Sequence, residues 1–132
     1  KDQADVNGMP TTLGSVLFKD DMPRSDGFVV SKLKQAGVIF LGKATLGELG
    51  GGDTHGSLFG STRNVYDFDR TAGGSSGGSD ERVSKLLPVA VGQEGFASIR
   101  RPSIWNGVTG VRPTTGLVSR GGVYGGWPTV NG

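Results

Sequence analysis

The clearest alternation of apolar and polar positions lies in "RSDGFVVSKLKQAG", where Val29, Leu33 and Ala36 recur at helical spacing while Lys32, Lys34 and Gln35 take the opposite side. Ser25 or Asp26 is the expected N-cap of this helix and Gly37 its expected stop. "VIFLG", residues 38–42, follows at once as a short continuous apolar run with β-branched members, the pattern of a strand buried on both faces. "ATLGEL" predicts a second, short helix ahead of the Gly-rich loop "GGGDTHGSLFGSTRN". "SDERVSKLL", residues 79–87, is helical by composition, with Asp80 and Glu81 at the end where the helix dipole favours negative charge. "PVAVGQ", residues 88–93, reads as another buried strand. Residues 1–24 are punctuated by Gly8, Pro10, Gly14 and Pro23 and read as loop with brief extended parts, and the tail holds turn signals and at most short strands. Helices feeding directly into apolar strands predict an α/β fold, with residues 1–132 as a single, incomplete domain.

Between these elements sits "TAGGSSGG", residues 71–78. Its composition is that of a flexible linker. A linker flanks a domain, however, whereas this stretch interrupts an α/β succession and leads into a helix N-terminus, where backbone N–H groups point outward. The placement predicts a sharply bent backbone with a close-approaching neighbour.

Composition narrows the classes. The 132 residues are 34% hydrophobic and 20% charged, as expected of one soluble globular domain, and the 25 glycines are the outlier. With no cysteine there is neither a disulfide framework nor a thiolate metal site. A net charge of +2, from 14 basic and 12 acidic residues scattered in both signs, offers no concentrated footprint for nucleic acid, and no nucleic-acid partner is expected. No apolar run reaches membrane-spanning length, so no membrane segment is expected, and nothing at the start resembles a signal peptide. The opening "KDQADV" reads as the start of a piece of something longer. Oligomeric state and compartment leave no trace in the sequence.

Two apparent motifs carry little. "GVIFLGKAT" comes within one residue of the phosphate-binding pattern G-x-x-x-x-G-K-[ST], but Ala44 stands at the hydroxyl position and the intervening residues build a strand rather than an anion cradle. His55, the only histidine, has Asp53 nearby, too few ligands for a metal, and reads as a surface loop residue. Serines are the better candidates: Ser75, Ser76 and Ser79 in "GGSSGGS", and Ser98 in "GFASIRRP", on the loop after the strand predicted to end near Gln93. With histidine set aside as base, lysine remains, and serine-lysine pairs are a known alternative. Each serine taken singly is equally a cap or turn residue.

Four stretches, "KDQADVNGMPTTLGS", "AGVIFLGKATLGEL", "TRNVYDFDRTAGGSSGGS" and "ASIRRPSIWNGVTGVRPTTGLVSRGGV", resemble the amidase signature family in order and near-family spacing, over almost the whole chain. The resemblance implies a mixed sheet covered by helices and a serine hydrolase of carbon–nitrogen amide bonds, working through an acyl-enzyme with a Ser-cisSer-Lys triad. Position by position, it makes Ser98 the nucleophile, Ser75 the bridging serine after a cis Gly74–Ser75 bond, Lys1 the base and Ser76 a supporting serine. It makes the N–H groups of Gly95, Phe96, Ala97 and Ser98 the oxyanion loop. It implies a small-molecule amide substrate and no metal or organic cofactor.

The family has two glycines where Phe96 and Ala97 stand, so any positive φ there is costly. A lysine working as base near neutral pH must lose about 4 kcal/mol of proton affinity through burial. Lys1, at a chain end, is expected to stay exposed and unshifted, leaving the isolated segment with little activity. Two other functions fit the same resemblance: a non-catalytic binding subunit, and an amidotransferase component that works on aminoacyl-tRNA with partner chains. Arg100 is expected to lock the nucleophile loop. Asp2 is expected beside the site or as a solvated carboxylate, and Trp105, Tyr124 and Trp127 in an apolar acyl pocket or in the core.

Overall fold

The computed structural model describes residues 1–124. Trp127 lies outside the described residues. Helix α1 spans Phe28–Gln35, strands β1 (His55–Gly56) and β2 (Gly60–Ser61) form a small antiparallel ribbon, and helices α2 (Gly77–Lys85) and α3 (Arg100–Trp105) follow. The ribbon pairs His55 with Ser61 and Gly56 with Gly60.

Helix α1 forms where the periodicity puts it, although its N-cap is Gly27 rather than Ser25 or Asp26. The Asp26 carboxylate is engaged elsewhere, accepting from the Asn7 N–H and from Lys34, both at 2.8 Å. Gly27 faces the carbonyl of Gly122, which a Cβ would approach to 2.7 Å, and the Phe28 N–H donates to the Gly121 carbonyl at 2.8 Å. The start of α1 is thereby docked onto the tail. Val30 is its buried residue, and Gly37 closes it at φ +84°. The short helix expected in "ATLGEL" is a 3-10 turn at Glu48–Gly50.

The mixed sheet is not formed among the described residues. Segments 38–42 and 88–93, expected to be buried strands, pair with no described neighbour. Ile39 is 82% exposed and Leu41 76%. The apolar pattern is present, but a strand exists only through a ladder of N–H and C=O groups to a neighbouring strand, and among the described residues neither segment forms one. Helix α3, by contrast, arises from residues read as loop. Pro102 sits in its first turn, where a missing N–H costs nothing, and Gly107 follows it at φ +65°.

The buried set is unusually polar. Its apolar members are Val6, Leu13, Val30, Leu46 and Ala72, alongside buried Asp2, Ser75, Ser76, Asp80, Glu94 and Asn106. Buried polar groups need partners, and these largely find one another.

Candidate active site

The glycine-serine stretch is interior: residues 72–80 are all buried. A Cβ at Gly74 would lie 2.7 Å from Asp53 Cα, and one at Gly78 would lie 2.5 Å from the Thr45 carbonyl oxygen. Neighbouring backbone occupies the space of a side chain at both positions, and only glycine fits. The Asn106 amide donates to the Ala72 carbonyl at 2.7 Å and the Thr54 hydroxyl to the Gly73 carbonyl at 2.7 Å, fixing the start of the stretch. The Gly74–Ser75 peptide is cis.

Three side chains meet at its centre. Lys1 Nζ lies 2.8 Å from Ser75 Oγ and 3.3 Å from the Gln93 carbonyl oxygen, while the Lys1 main-chain nitrogen donates to the Val91 carbonyl at 2.7 Å. Ser76 Oγ donates to the same Gln93 carbonyl at 3.1 Å, and the Ser76 N–H donates to the Ser98 carbonyl at 3.1 Å. Lys1, Ser75, Ser76 and the Ser98 backbone thus form one connected cluster. No hydrogen bond joins the Ser75 and Ser98 hydroxyls among the described residues.

Lys1 is half-buried rather than exposed, contrary to the expectation for a chain end. Burial brings its side-chain pKa down from an ordinary 10.5 to about 7, against the opposing attraction of Asp80 and Glu94. With a pKa of about 7, close to half of such a lysine is in the neutral, proton-accepting form at neutral pH.

The loop from Glu94 to Arg100 is organised by a residue that sequence reasoning passes over. Glu94 is fully buried, and its Oε2 accepts the N–H groups of Ile99 and Arg100, both at 2.9 Å. Its Oε1 faces Arg100 Nε at 2.5 Å and Arg112 Nε at 3.7 Å. Burial pushes the Glu94 carboxyl up, but the two N–H groups and the Arg100 guanidinium outweigh it, leaving the pKa below the ordinary range. Arg100 also donates to the Phe96 carbonyl, which fits the expected locking role. The N–H groups of Gly95, Phe96, Ala97 and Ser98 donate to nothing among the described residues. No positive φ occurs at Phe96 or Ala97, so their side chains bring no backbone strain. Phe96 is 86% exposed.

Other candidates fall away from this cluster. Asp2 is buried among Thr12 and Lys43, with Lys43 Nζ at 2.6 Å, and its carboxylate serves that ion pair. Lys43, the lysine of the near-miss phosphate motif, is committed there and to the Pro10 carbonyl at 2.8 Å. His55 is exposed with Nδ1 2.8 Å from Ser61 Oγ, and Asp53 pairs with Arg101 at 2.6 Å. Among the described residues no group of three or more His, Cys, Asp or Glu side chains could hold a metal ion. None of the described helices is long and apolar enough to cross a membrane. Trp105 and Tyr124 are each 45% exposed; Trp105 lies under the Arg101 guanidinium, 5.4 Å from its ring centroid, and packs on Gly73.

The family model described as Amidase matches residues 1–131. A glutamyl-tRNA(Gln) amidotransferase subunit of Acidothermus cellulolyticus is 43% identical over 93% of this chain and 25% of its own length. The structure of a glutamyl-tRNA(Gln) amidotransferase subunit from Thermotoga maritima superposes with a TM-score of 0.90 at 42% identity, over 94% of this chain and 28% of that one. The native peptide amidase of Stenotrophomonas maltophilia superposes with a TM-score of 0.88 at 38% identity, over 93% of this chain and 26% of that one. The chain spans about a quarter of the length of the curated relatives it matches.

Proposed function

Because the chain belongs to the amidase family, we propose that its protein hydrolyses carbon–nitrogen amide bonds, with Ser98 as nucleophile, Ser75 as relay and Lys1 as base. The observation that carries the reading is the 2.8 Å approach of Lys1 Nζ to Ser75 Oγ at a lysine whose pKa burial lowers to about 7. Ser98 Oγ attacks the amide carbonyl carbon while its proton passes to Ser75 and that of Ser75 passes to Lys1. The tetrahedral oxyanion is received by the N–H groups of residues 95–98, each unclaimed donor contributing about 3 kcal/mol. Collapse breaks the C–N bond, and the proton returns through Ser75 to the departing nitrogen, releasing ammonia or an amine. Water, deprotonated by the same relay, then attacks the acyl-serine ester and releases the carboxylic acid. The scheme requires a Ser75–Ser98 hydrogen bond, and catalytic bonds of this kind commonly tighten only in the substrate complex.

A serine-directed fluorophosphonate tests this in the full-length protein. Labelling is expected at Ser98 and expected to vanish in Ser98→Ala and in Lys1→Ala. Labelling that persists undiminished in Ser98→Ala refutes the assignment, and an unlabelled wild type favours a non-catalytic binding subunit.

The names of the similar proteins favour a second reading, an amidotransferase component. Acylation of Ser98 by an amide donor and release of ammonia would be the same first half-reaction, with the ammonia passed to an acceptor held by a partner chain. Ammonia release from an amide donor that depends on an aminoacyl-tRNA and a co-purified partner selects this reading. Release from simple amides by the protein alone selects the hydrolase.

A further inference from the structure

Asp80 is a buried carboxylate that the proposed chemistry leaves without a task. It is 8% exposed, sits in the first turn of α2, and accepts a hydrogen bond from the Ser103 hydroxyl of α3 at 2.5 Å. Its surroundings tie it to Lys1. The turn before it and Lys1 hang on the same two carbonyl groups: that of Val91 accepts from Ser79 Oγ at 3.2 Å and from the Lys1 main-chain nitrogen at 2.7 Å. The Gln93 carbonyl accepts from Ser76 Oγ at 3.1 Å and from Lys1 Nζ at 3.3 Å. Residues 76–80 and Lys1 are therefore held on one short piece of backbone, and the Asp80 N–H donates to the Ser76 carbonyl at 3.2 Å.

We propose that Asp80 is a positioning residue for the Lys1 base: a buried counter-charge, fixed by Ser103, that governs how strongly Lys1 holds its proton. The inference rests on the reading of Lys1 as base. An opposite charge held in a low-dielectric interior favours the ammonium form, so Asp80 keeps a buried lysine from losing its proton altogether. That matters for the second half of the relay, because a base too reluctant to carry the proton cannot store it until the nitrogen leaves. The charged groups that act on Lys1 are Asp80 from α2 and Glu94 from the loop ahead of α3, and Glu94 is already committed to Arg100 and Arg112. The charge that acts on Asp80 is the Lys1 side chain, with the Ser103 hydroxyl as its donor. Burial pushes the Asp80 carboxyl above the ordinary range, and Ser103 and Lys1 oppose that rise.

The test reads the Lys1 titration directly, by the pH dependence of its ε-13C resonance in lysine-labelled full-length protein, assigned by its loss in Lys1→Ala. Asp80→Asn is expected to move the Lys1 midpoint down by about one pH unit. Asp80→Glu is expected to restore most of it. Ser103→Ala removes the donor that favours the charged Asp80 and is expected to move the midpoint in the same direction by less; it decides the matter if Asp80→Asn does not fold. An unmoved midpoint in a folded Asp80→Asn, or in Ser103→Ala when Asp80→Asn does not fold, overturns the proposal, as does an upward shift. The readout needs no turnover. A protein whose Ser98 resists labelling but whose Lys1 midpoint follows Asp80 defeats the hydrolase reading while the Asp80–Lys1 charge coupling holds; normal labelling with an unmoved midpoint overturns the role of Asp80 and leaves the hydrolase reading intact.

Discussion

Glu94→Gln is the substitution that most directly probes the nucleophile loop. The two carboxylate oxygens of Glu94 both face donors: Oε2 takes the N–H groups of Ile99 and Arg100, and Oε1 takes the guanidinium of Arg100, with that of Arg112 beyond. A glutamine amide has one oxygen and one NH2, so either rotamer points N–H at N–H somewhere in this set. If the amide oxygen stays on the backbone side, the pair to Arg100 is lost; the Arg100 side chain is 60% exposed, so water compensates much of that loss. If it faces the arginines, two backbone donors at a fully buried site lose a charged acceptor, at about 1–3 kcal/mol each. The first rotamer is therefore preferred, with a net destabilisation of about 1–3 kcal/mol. Glu94→Ala removes both ends and leaves the Ile99 and Arg100 N–H groups without their acceptor, at about 1–3 kcal/mol each. Because Gly95–Ser98 is the segment that these bonds span, Ser98 labelling should slow in both variants, and more in the alanine. Denaturant unfolding with an unchanged m-value gives the stability term, and fluorophosphonate labelling rates give the functional one. Glu94→Ala with wild-type stability and labelling rate would refute the claim that this carboxylate builds the loop. The Glu94 pKa lies below its unfolded value, so its contribution is present above the ordinary glutamate range and is lost as pH falls through the folded-state value.

Two further outcomes follow from the same geometry. With Lys1 titrating near 7, the Ser98 labelling rate should be level above that pH and fall about tenfold for each unit below it; a rate indifferent to pH between 5 and 8, or one that falls only with an ordinary carboxylate, removes Lys1 as base. Because the folded-state pKa of Lys1 is depressed, the unfolded chain binds the extra proton between about 7 and 10.5, so stability should decline as pH is lowered through that window, by at most about 1.4 kcal/mol per unit. Gly78→Ala sets a methyl group 2.5 Å from the Thr45 carbonyl oxygen, and should destabilise by about 2–3 kcal/mol or more, seen as a lowered Tm; an unchanged Tm would mean that α2 is not seated against Thr45 as described.

Much of the site is legible because its parts announce themselves locally. Four glycines and two serines set between structured elements point to close packing, and the burial of residues 72–80 agrees. The Lys1–Ser75 contact joins residues at opposite ends of a long sequence interval, and only the resemblance to a family brings them together; no periodicity encodes it. Glu94 escapes notice for the same reason in reverse. An acidic residue next to a glycine looks like surface, and of its partners Arg100 opens α3 while Arg112 lies beyond that helix. The available signal is two arginines after one acid around an otherwise apolar loop. Helix α3 escapes notice although Pro102 and the Asn106-Gly107 pair bracket it in a usual way, because six residues are too few to show a helical period.

The segments expected as strands show where local reading stops. In residues 88–93 the apolar pattern argues for burial on both faces, yet Val89 is 67% exposed and no ladder forms among the described residues. What the backbone of this segment does instead is serve the site: the Val91 carbonyl takes Lys1 and Ser79, the Gln93 carbonyl takes Lys1 and Ser76, and the Gln93 N–H returns to Ser76 Oγ at 3.3 Å. The carbonyl groups of Val91 and Gln93 on that edge hold the base and the bridging turn. The edge facing Lys1 is therefore defined by polar contacts that hydrophobic patterning cannot register. Each of the two carbonyls takes donors from two separate parts of the chain, Lys1 and the turn at residues 76–79, and this convergence, rather than any apolar period, joins the base to the glycine-serine stretch.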